Sequence, residues 1–384
     1  MSTDTLTLPD SWRARWQQRR DRWLTNPRFR EAAARFVGTR PVARQRASEL
    51  FDLVAGFVYS QWLAACVELD LFERLARGPL TARVLAQEGR LPDTAALRLL
   101  EAAVSLKLVQ TRGQDASGQT LYGLGPLGAA MVGNEAVLAM VRHHHTLYRD
   151  LADPLALLRR ERGGGELARY WAYAEEAAPG QLAAGQTSPY SALMSASQPL
   201  VAGQVLDVYP MGRHQLLLDI GGGEGVFAAE ALARTPGLRA MVFDLPAVAD
   251  NARARFARLG LADRAQAKGG DFHRDALPEG ADVVSLVRVI YDHDDAPALA
   301  LLRQARRALQ PGGTLLLAEP MAGTAGAERM GAAYFGLYLT AMGSGRSRTP
   351  AQLTAMLEQA GFADVRQRTT ALPLQAGLLV ARAA

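Results

Sequence analysis

The chain has 384 residues, 49% hydrophobic and 21% charged, so it can bury a sizeable core and is not intrinsically disordered; at roughly 150 residues per domain, two domains are expected. Its one cysteine, Cys66, excludes a disulfide framework and a cysteine-built zinc site, and the chain reads as cytoplasmic. Of the net charge of +5, residues 11–46 hold +9 (eleven arginines against Asp21 and Glu31), which leaves −4 on the rest.

Residues 1–46 form a basic arm. Trp12, Trp16 and Trp23 recur at four and seven, which places them on one helical face among arginines. Such a helix suits an anionic membrane surface, with tryptophan at headgroup depth; the plainer alternative is a helix docked on its own protein or a second subunit. A basic arm alone argues little for nucleic acid. No unbroken apolar run approaches the roughly 20 residues of a membrane span, and no secretory leader is expected.

Residues 47–200 predict a mostly helical domain. Apolar residues at three and four over 50–75, stopped by Gly78-Pro79, give one long helix. Helices at 81–91 and 94–108 and a two-stranded wing at 109–112 and 120–124 complete a winged helix. Gly163-Gly164-Gly165 reads as a flexible link. From Gln215 the pattern alternates: strands near 215–220, 239–243, 264–268, 282–287 and 313–319, and helices near 226–234, 246–258, 295–308 and 350–360. Two further strands, 364–370 and 376–382, close the chain. This is the α/β class, a Rossmann-like parallel sheet over 201–384 with an antiparallel pair at its end.

The strongest chemical signal is Leu216-Leu217-Leu218-Asp219-Ile220 running into Gly221-Gly222-Gly223-Glu224-Gly225, with a helix opening at Val226. Glycines let a ligand approach the backbone, and the helix start adds unpaired N–H groups. The spacing G-x-G-x-G is tighter than the dinucleotide fingerprint, and with an acidic residue ahead of it suits a nucleoside bearing a cationic amino-acid tail. Asp244 ends the next strand, where a carboxylate can accept both ribose hydroxyls. In Gly269-Gly270-Asp271-Phe272, Asp271 can accept an adenine amino group while Phe272 stacks on the ring. Arg288 ends the fourth strand. Any one of these is weak, but the ordered set is specific.

The set resembles the S-adenosylmethionine-dependent small-molecule O-methyltransferases that carry an N-terminal winged-helix dimerisation domain, over about residues 47–382. The resemblance implies that Gly221, Asp244, Asp271, Phe272 and Arg288 contact S-adenosylmethionine, with Gly223 in the same turn. It also implies a homodimer paired through the winged helix at 78–125, which helps wall the substrate pocket and in that family does not usually bind DNA; Arg98 and Lys107 against Asp93 and Glu101 leave no net positive charge for a groove. More narrowly, Phe51-Asp52-Leu53-Val54-Ala55-Gly56-Phe57-Val58-Tyr59-Ser60-Gln61, Pro189-Tyr190-Ser191-Ala192-Leu193-Met194, Val287-Arg288-Val289-Ile290-Tyr291-Asp292-His293-Asp294-Asp295 and Ala341-Met342-Gly343-Ser344-Gly345-Arg346 resemble the hydroxyneurosporene (demethylspheroidene) O-methyltransferases. The implied substrate is an apolar acyclic carotenoid methylated at its tertiary 1-hydroxyl, with the enzyme cytoplasmic or peripheral at a photosynthetic membrane. A bacteriochlorophyllide carbon and a polyketide or phenol hydroxyl remain alternative acceptors.

The family carries His-Asp-Trp where this chain has Tyr291-Asp292-His293, so tyrosine stands at the position of the general base. A tyrosine hydroxyl ionises near pH ~10 and is a poor base at neutrality. Tyr291 is therefore expected to orient the acceptor, with Glu319 beside it as the partner of its hydroxyl and His293 as a substitute base. No metal is expected: consecutive His143, His144 and His145 diverge by about 100° on a helix and cannot share one ion. The helix at 334–342 is a candidate substrate wall or an ordinary core helix.

Overall fold

The structure, a computed structural model, describes residues 12–159, 165–170, 184–373 and 376–384, without the side chains of 170 and 184–193. Gly163-Gly164 of the expected link, and the side chains of the Pro189–Leu193 motif, lie outside that description. The fold forms two compact units, residues 1–132 and 133–384. The division falls inside 47–200, which the composition treats as one helical domain.

In the first unit the arm is three helical pieces: α1 (Trp12–Thr25), α2 (Pro27–Arg35) and the start of α3 (Arg40–Glu68). Asn26 separates the first two; its side chain accepts the Arg28 N–H at 2.9 Å and Pro27 occupies the first turn, both favourable at a helix start. The single helix expected over 50–75 is instead α3 and α4 (Leu71–Arg77), because Asp70 adopts φ 48° and turns the chain. Over its most apolar stretch α3 has a mean hydropathy of 1.5, so by length and composition it is long and apolar enough to cross a membrane, although only 17% of that stretch is buried. Asp52, Gly56, Ser60 and Gln61 interrupt it, which hides it from a search for unbroken apolar runs. Leu50, Phe51, Leu53, Val54 and Phe57 on α3 are all exposed in the monomer.

The winged helix follows as expected, with one addition. β1 (Leu80–Thr81) precedes α5 (Ala82–Gly89) and α6 (Asp93–Ser105), and pairs antiparallel with β3 (Thr120–Leu124), which pairs with β2 (Val109–Gln114). Thr81 caps α5 by accepting the Val84 N–H. A single turn, α7 (Pro126–Ala129), ends the unit.

The second unit opens with α8 (Glu135–Asp150), α9 (Pro154–Arg159), α10 (Glu166–Tyr170) and α11 (Ala184–Val208). Then come β4 (Leu216–Ile220), α12 (Val226–Arg234), β5 (Arg239–Asp244), α13 (Pro246–Arg258), β6 (Ala265–Gly269), β7 (Ala281–Val287), α14 (Asp295–Ala308) and β8 (Leu309–Glu319). A π-helix (Arg329–Tyr334), α15 (Phe335–Met342), α16 (Pro350–Gln359), β9 (Phe362–Arg368) and β10 (Gly377–Ala383) complete the chain. The sheet order is β6-β5-β4-β7-β8-β10-β9, parallel through β8, with β10 antiparallel to both of its neighbours. β7 and β8 are apolar on both faces because helices cover both. Val284, Leu286 and Leu317 pack with Leu301 of α14 and Leu357 of α16. Val283 and Leu316 pack on the other face with Phe227, Phe256 and Val205. This order brings the carboxyl ends of β4 to β8 together, where open α/β sheets bind ligands.

Candidate active site

Gly221, Gly223 and Gly225 all lie in the left-handed region, at φ 65°, 58° and 75°, where a Cβ is strained. At Gly221 a Cβ would also meet Val289 Cγ2 at 2.8 Å, whereas at Gly223 nothing lies within 4 Å. The turn thus leaves an open cradle at Gly223. Its N–H donates to Asp244 Oδ2 at 2.7 Å, and the Leu245 N–H donates to Asp244 Oδ1 at 2.7 Å. Burial pushes the Asp244 carboxyl up to about 6.

Asp219 is fully buried one strand away; its Oδ1 accepts the Ser285 hydroxyl at 2.5 Å, while Oδ2 has no hydrogen-bond partner among the described residues. Burial pushes this carboxyl up to about 7. A buried oxygen without a donor is costly. The open cradle, the Asp244 carboxyl beside it and the buried Asp219 oxygen without a donor fit a nucleoside with a cationic tail.

Asp271, 7% exposed, follows β6. Its Oδ1 accepts the His273 N–H at 2.9 Å, and Arg274 Nε lies 3.6 Å from Oδ2. Phe272 packs edge-on with His273 (4.7 Å) and His293 (5.5 Å). Arg288, at the end of β7, holds φ 61°, an uncommon strain for a side-chain-bearing residue that concentrates at functional sites. Its guanidinium donates to Ser197 Oγ at 2.6 Å and its backbone N–H to Ala318 O at 2.8 Å. All six residues expected at the cofactor therefore sit at the carboxyl edge of the sheet.

The segment Ile290–Asp292 is a single 3-10 turn. Glu319 does not reach it through the Tyr291 hydroxyl, the partnership the sequence suggests. Instead, Glu319 Oε1 accepts the backbone N–H of Ile290 at 2.6 Å and of Tyr291 at 3.2 Å, and burial pushes its carboxyl up to about 8. From the other side comes Arg348, 2% exposed. It donates to Ile290 O at 3.1 Å, His293 O at 2.8 Å and Asp295 Oδ1 at 2.7 Å. The Arg346 N–H adds a bond to Tyr291 O at 2.8 Å. Tyr291 is buried, with its ring edge-on to Phe335 at 5.8 Å. His293 points to other company: its ring meets Phe272 and, at 4.9 Å, His273. Burial, His273 and Arg348 push its basicity down to about 3.

Beyond Tyr291 lies an aromatic cluster. Tyr291, Tyr338, Leu339, Met342, Leu147 and Leu157 form one buried group, with Tyr334, Phe335 and Met194 packed against it. His143 Nε2 lies 2.8 Å from the Tyr338 hydroxyl, and His144 Nε2 lies 2.7 Å from that of Tyr334. Two of the three consecutive histidines thus meet tyrosines, and the described residues contain no cluster of three or more metal-ligating side chains.

Residues 148–363 match the O-methyltransferase domain, and residues 51–134 match the O-methyltransferase dimerisation domain. The chain belongs to the O-methyltransferase family. The methyltransferase is 42% identical over 339 residues to the demethylspheroidene O-methyltransferase of Cereibacter sphaeroides, covering 88% of each chain. It is 40% identical to the protein of the same name from Rhodobacter capsulatus, over 86% of this chain and 81% of that one. Among solved structures, human N-acetylserotonin methyltransferase in complex with S-adenosylmethionine superposes with a TM-score of 0.73 at 27% identity, covering 88% of this chain and 97% of that one. The enzyme uses S-adenosylmethionine.

The contacts of four residues escape the sequence. Ser285 is an ordinary strand residue until it faces Asp219. Arg348 lies two positions past the Gly345-Arg346 motif, with no spacing that ties it to Ile290. The Tyr334 and Tyr338 hydroxyls look like parts of an apolar helix until His143 and His144 meet them.

Proposed function

We propose that this methyltransferase transfers a methyl group from S-adenosylmethionine to the tertiary 1-hydroxyl of an acyclic carotenoid of the demethylspheroidene type. The observation that carries the reading is the 42% identity to a demethylspheroidene O-methyltransferase across 88% of both chains. The site supports it: a tyrosine at 291 suits an alcohol that is not ionised in advance, and the wall around it is aromatic and apolar.

Gly221, Gly223, Asp244, Asp271, Phe272 and Arg288 would hold the cofactor, with Asp219 beneath its cationic tail. Bound there, S-adenosylmethionine supplies an electrophilic methyl group. The protein's task is then in-line approach, close contact and exclusion of water. Tyr291 orients the acceptor hydroxyl, and Glu319 fixes the turn that carries Tyr291. His293 stands on the adenine side, against Phe272, and is not the base.

The exposed apolar face of α3, within the region matching the dimerisation domain, is covered in a homodimer. Trp12, Trp16 and Trp23 on α1 are 70%, 58% and 59% exposed, with Arg13 over Trp12 at 5.4 Å and Arg20 over Trp16 at 5.7 Å. That pattern suits a peripheral contact with an anionic bilayer, where a carotenoid substrate resides. Labelled S-adenosylmethionine offered with demethylspheroidene, a chlorin and a phenol tests the substrate class: preferential labelling of the carotenoid is expected, and labelling of only another class overturns it. Removing residues 1–46 is expected to abolish cosedimentation with anionic vesicles; unchanged sedimentation would refute the membrane contact.

A further inference from the structure

With tyrosine at 291 and His293 turned toward Phe272, the acceptor's proton needs another destination. Tyr334 and Tyr338 stack at 5.9 Å, and Phe335 touches both of them (5.1 and 6.4 Å) as well as Tyr291 (5.8 Å). Two tyrosine–histidine pairs therefore stand one ring away from Tyr291. Independently, Tyr334 ends a six-residue π-helix, Arg329–Tyr334. Such backbone makes up well under ~1% of residues and gathers at functional sites. It is also a poor way to present a residue that only fills space. Finally, each pair is satisfied by its own hydrogen bond within the apolar wall, and a Tyr334 hydroxyl that donates to His144 retains lone pairs with which to accept from a ligand; the proposed substrate has its hydroxyl at one end.

We propose that the Tyr334–His144 pair receives the acceptor hydroxyl and its proton, with Tyr338–His143 as its buried support; this rests on the carotenoid-alcohol reading above. Tyr334 Oη accepts a hydrogen bond from the hydroxyl. As that oxygen gains its methyl group, its proton passes to Tyr334 Oη while the tyrosine's own proton passes to His144 Nε2. The products are a neutral ether, a neutral tyrosine and an imidazolium, which returns its proton to water. The direction is sound. Burial and His145 lower the basicity of His144, and burial and His144 push that of His143 down to about 4, so both are neutral at pH 7. A protonated ether is a far stronger acid than any imidazolium, so a weakly basic histidine takes its proton readily. Among the described residues, Tyr148, edge-on to His144 at 6.4 Å, Met140, whose sulfur lies 3.5 Å from the Tyr334 hydroxyl, and the neighbouring His145 also face the pair.

The test compares wild type with His144→Gln and Tyr334→Phe, using demethylspheroidene as acceptor between pH 5 and 8. Both variants are expected to lose kcat by about 10² while the KM for carotenoid and the affinity for S-adenosylhomocysteine stay within about twofold. The decline of kcat toward acid pH is expected to flatten in His144→Gln. A kcat within about threefold of wild type, with the acid limb intact, overturns the proposal. Should a variant fail to fold, the solvent deuterium isotope effect on wild-type kcat decides: a normal effect is expected, and none overturns it. Wild type inactive on the carotenoid sinks the substrate reading instead, and the pair is then judged by the same variants on whichever acceptor is methylated.

Discussion

Glu319 and Arg348 grip Ile290 through the two peptide groups that flank its Cα. The carboxylate accepts the Ile290 N–H at 2.6 Å, and the guanidinium donates to the Ile290 carbonyl at 3.1 Å. Both side chains are buried, so the turn that carries Tyr291 is fixed from below the sheet edge and from the α15–α16 connection at once.

Removing one jaw should loosen the turn without emptying the cofactor cradle. Arg348→Ala is expected to lower stability by about 1–3 kcal/mol, the cost of leaving buried carbonyls without donors. It should also reduce kcat at least tenfold, with affinity for S-adenosylhomocysteine nearly unchanged. Arg348→Lys keeps the charge but cannot reach Ile290 O, His293 O and Asp295 together, so only partial recovery is expected. Melting curves beside steady-state kinetics check both.

The carboxyls of Asp219 and Asp244, raised to about 7 and about 6, set a pH dependence with a definite sign. Each ionises more readily unfolded than folded, so their contribution to stability of the cofactor-free protein is full below about pH 4 and is lost as pH rises through about 6 and 7. A cationic ligand needs them ionised. Affinity for S-adenosylmethionine should therefore rise between pH 5 and 8, with protons released on binding. Calorimetry in two buffers of different ionisation enthalpy measures that; proton uptake would contradict it.

Gly223→Ala separates ligand contact from folding. Its φ of 58° makes the substitution cost about 1–2 kcal/mol, but no atom within 4 Å resists the methyl group. The variant is expected to fold, with binding of S-adenosylhomocysteine weakened at least tenfold. Gly221→Ala should melt lower still, because the added carbon meets Val289.

Phe57, 69% exposed on α3, is expected to be buried between subunits. Phe57→Glu should shift sedimentation from dimer to monomer, and an unchanged dimer would place the interface elsewhere.

What the sequence reveals here follows the range of the interaction. The strand entering Gly221-Gly222-Gly223 and the helix opening at Val226 are legible because local backbone demands fix their residue types. The helix break at Asp70 is not, since neither glycine nor proline marks it and apolar residues continue at helical spacing on both sides. Nor is the π-helix before Phe335, whose apolar spacing reads as ordinary helix. Glu319 is legible at its position but its bond is not, because whether it meets a hydroxyl or two backbone N–H groups depends on a turn 28 residues away.

The central claim is tested most directly by incubating the purified protein with equimolar S-adenosylmethionine and demethylspheroidene and identifying the products by mass spectrometry and NMR. The expected result is a carotenoid 1-methyl ether and S-adenosylhomocysteine in equal amounts. An unaltered carotenoid under conditions where a chlorin or a phenol is methylated would contradict it.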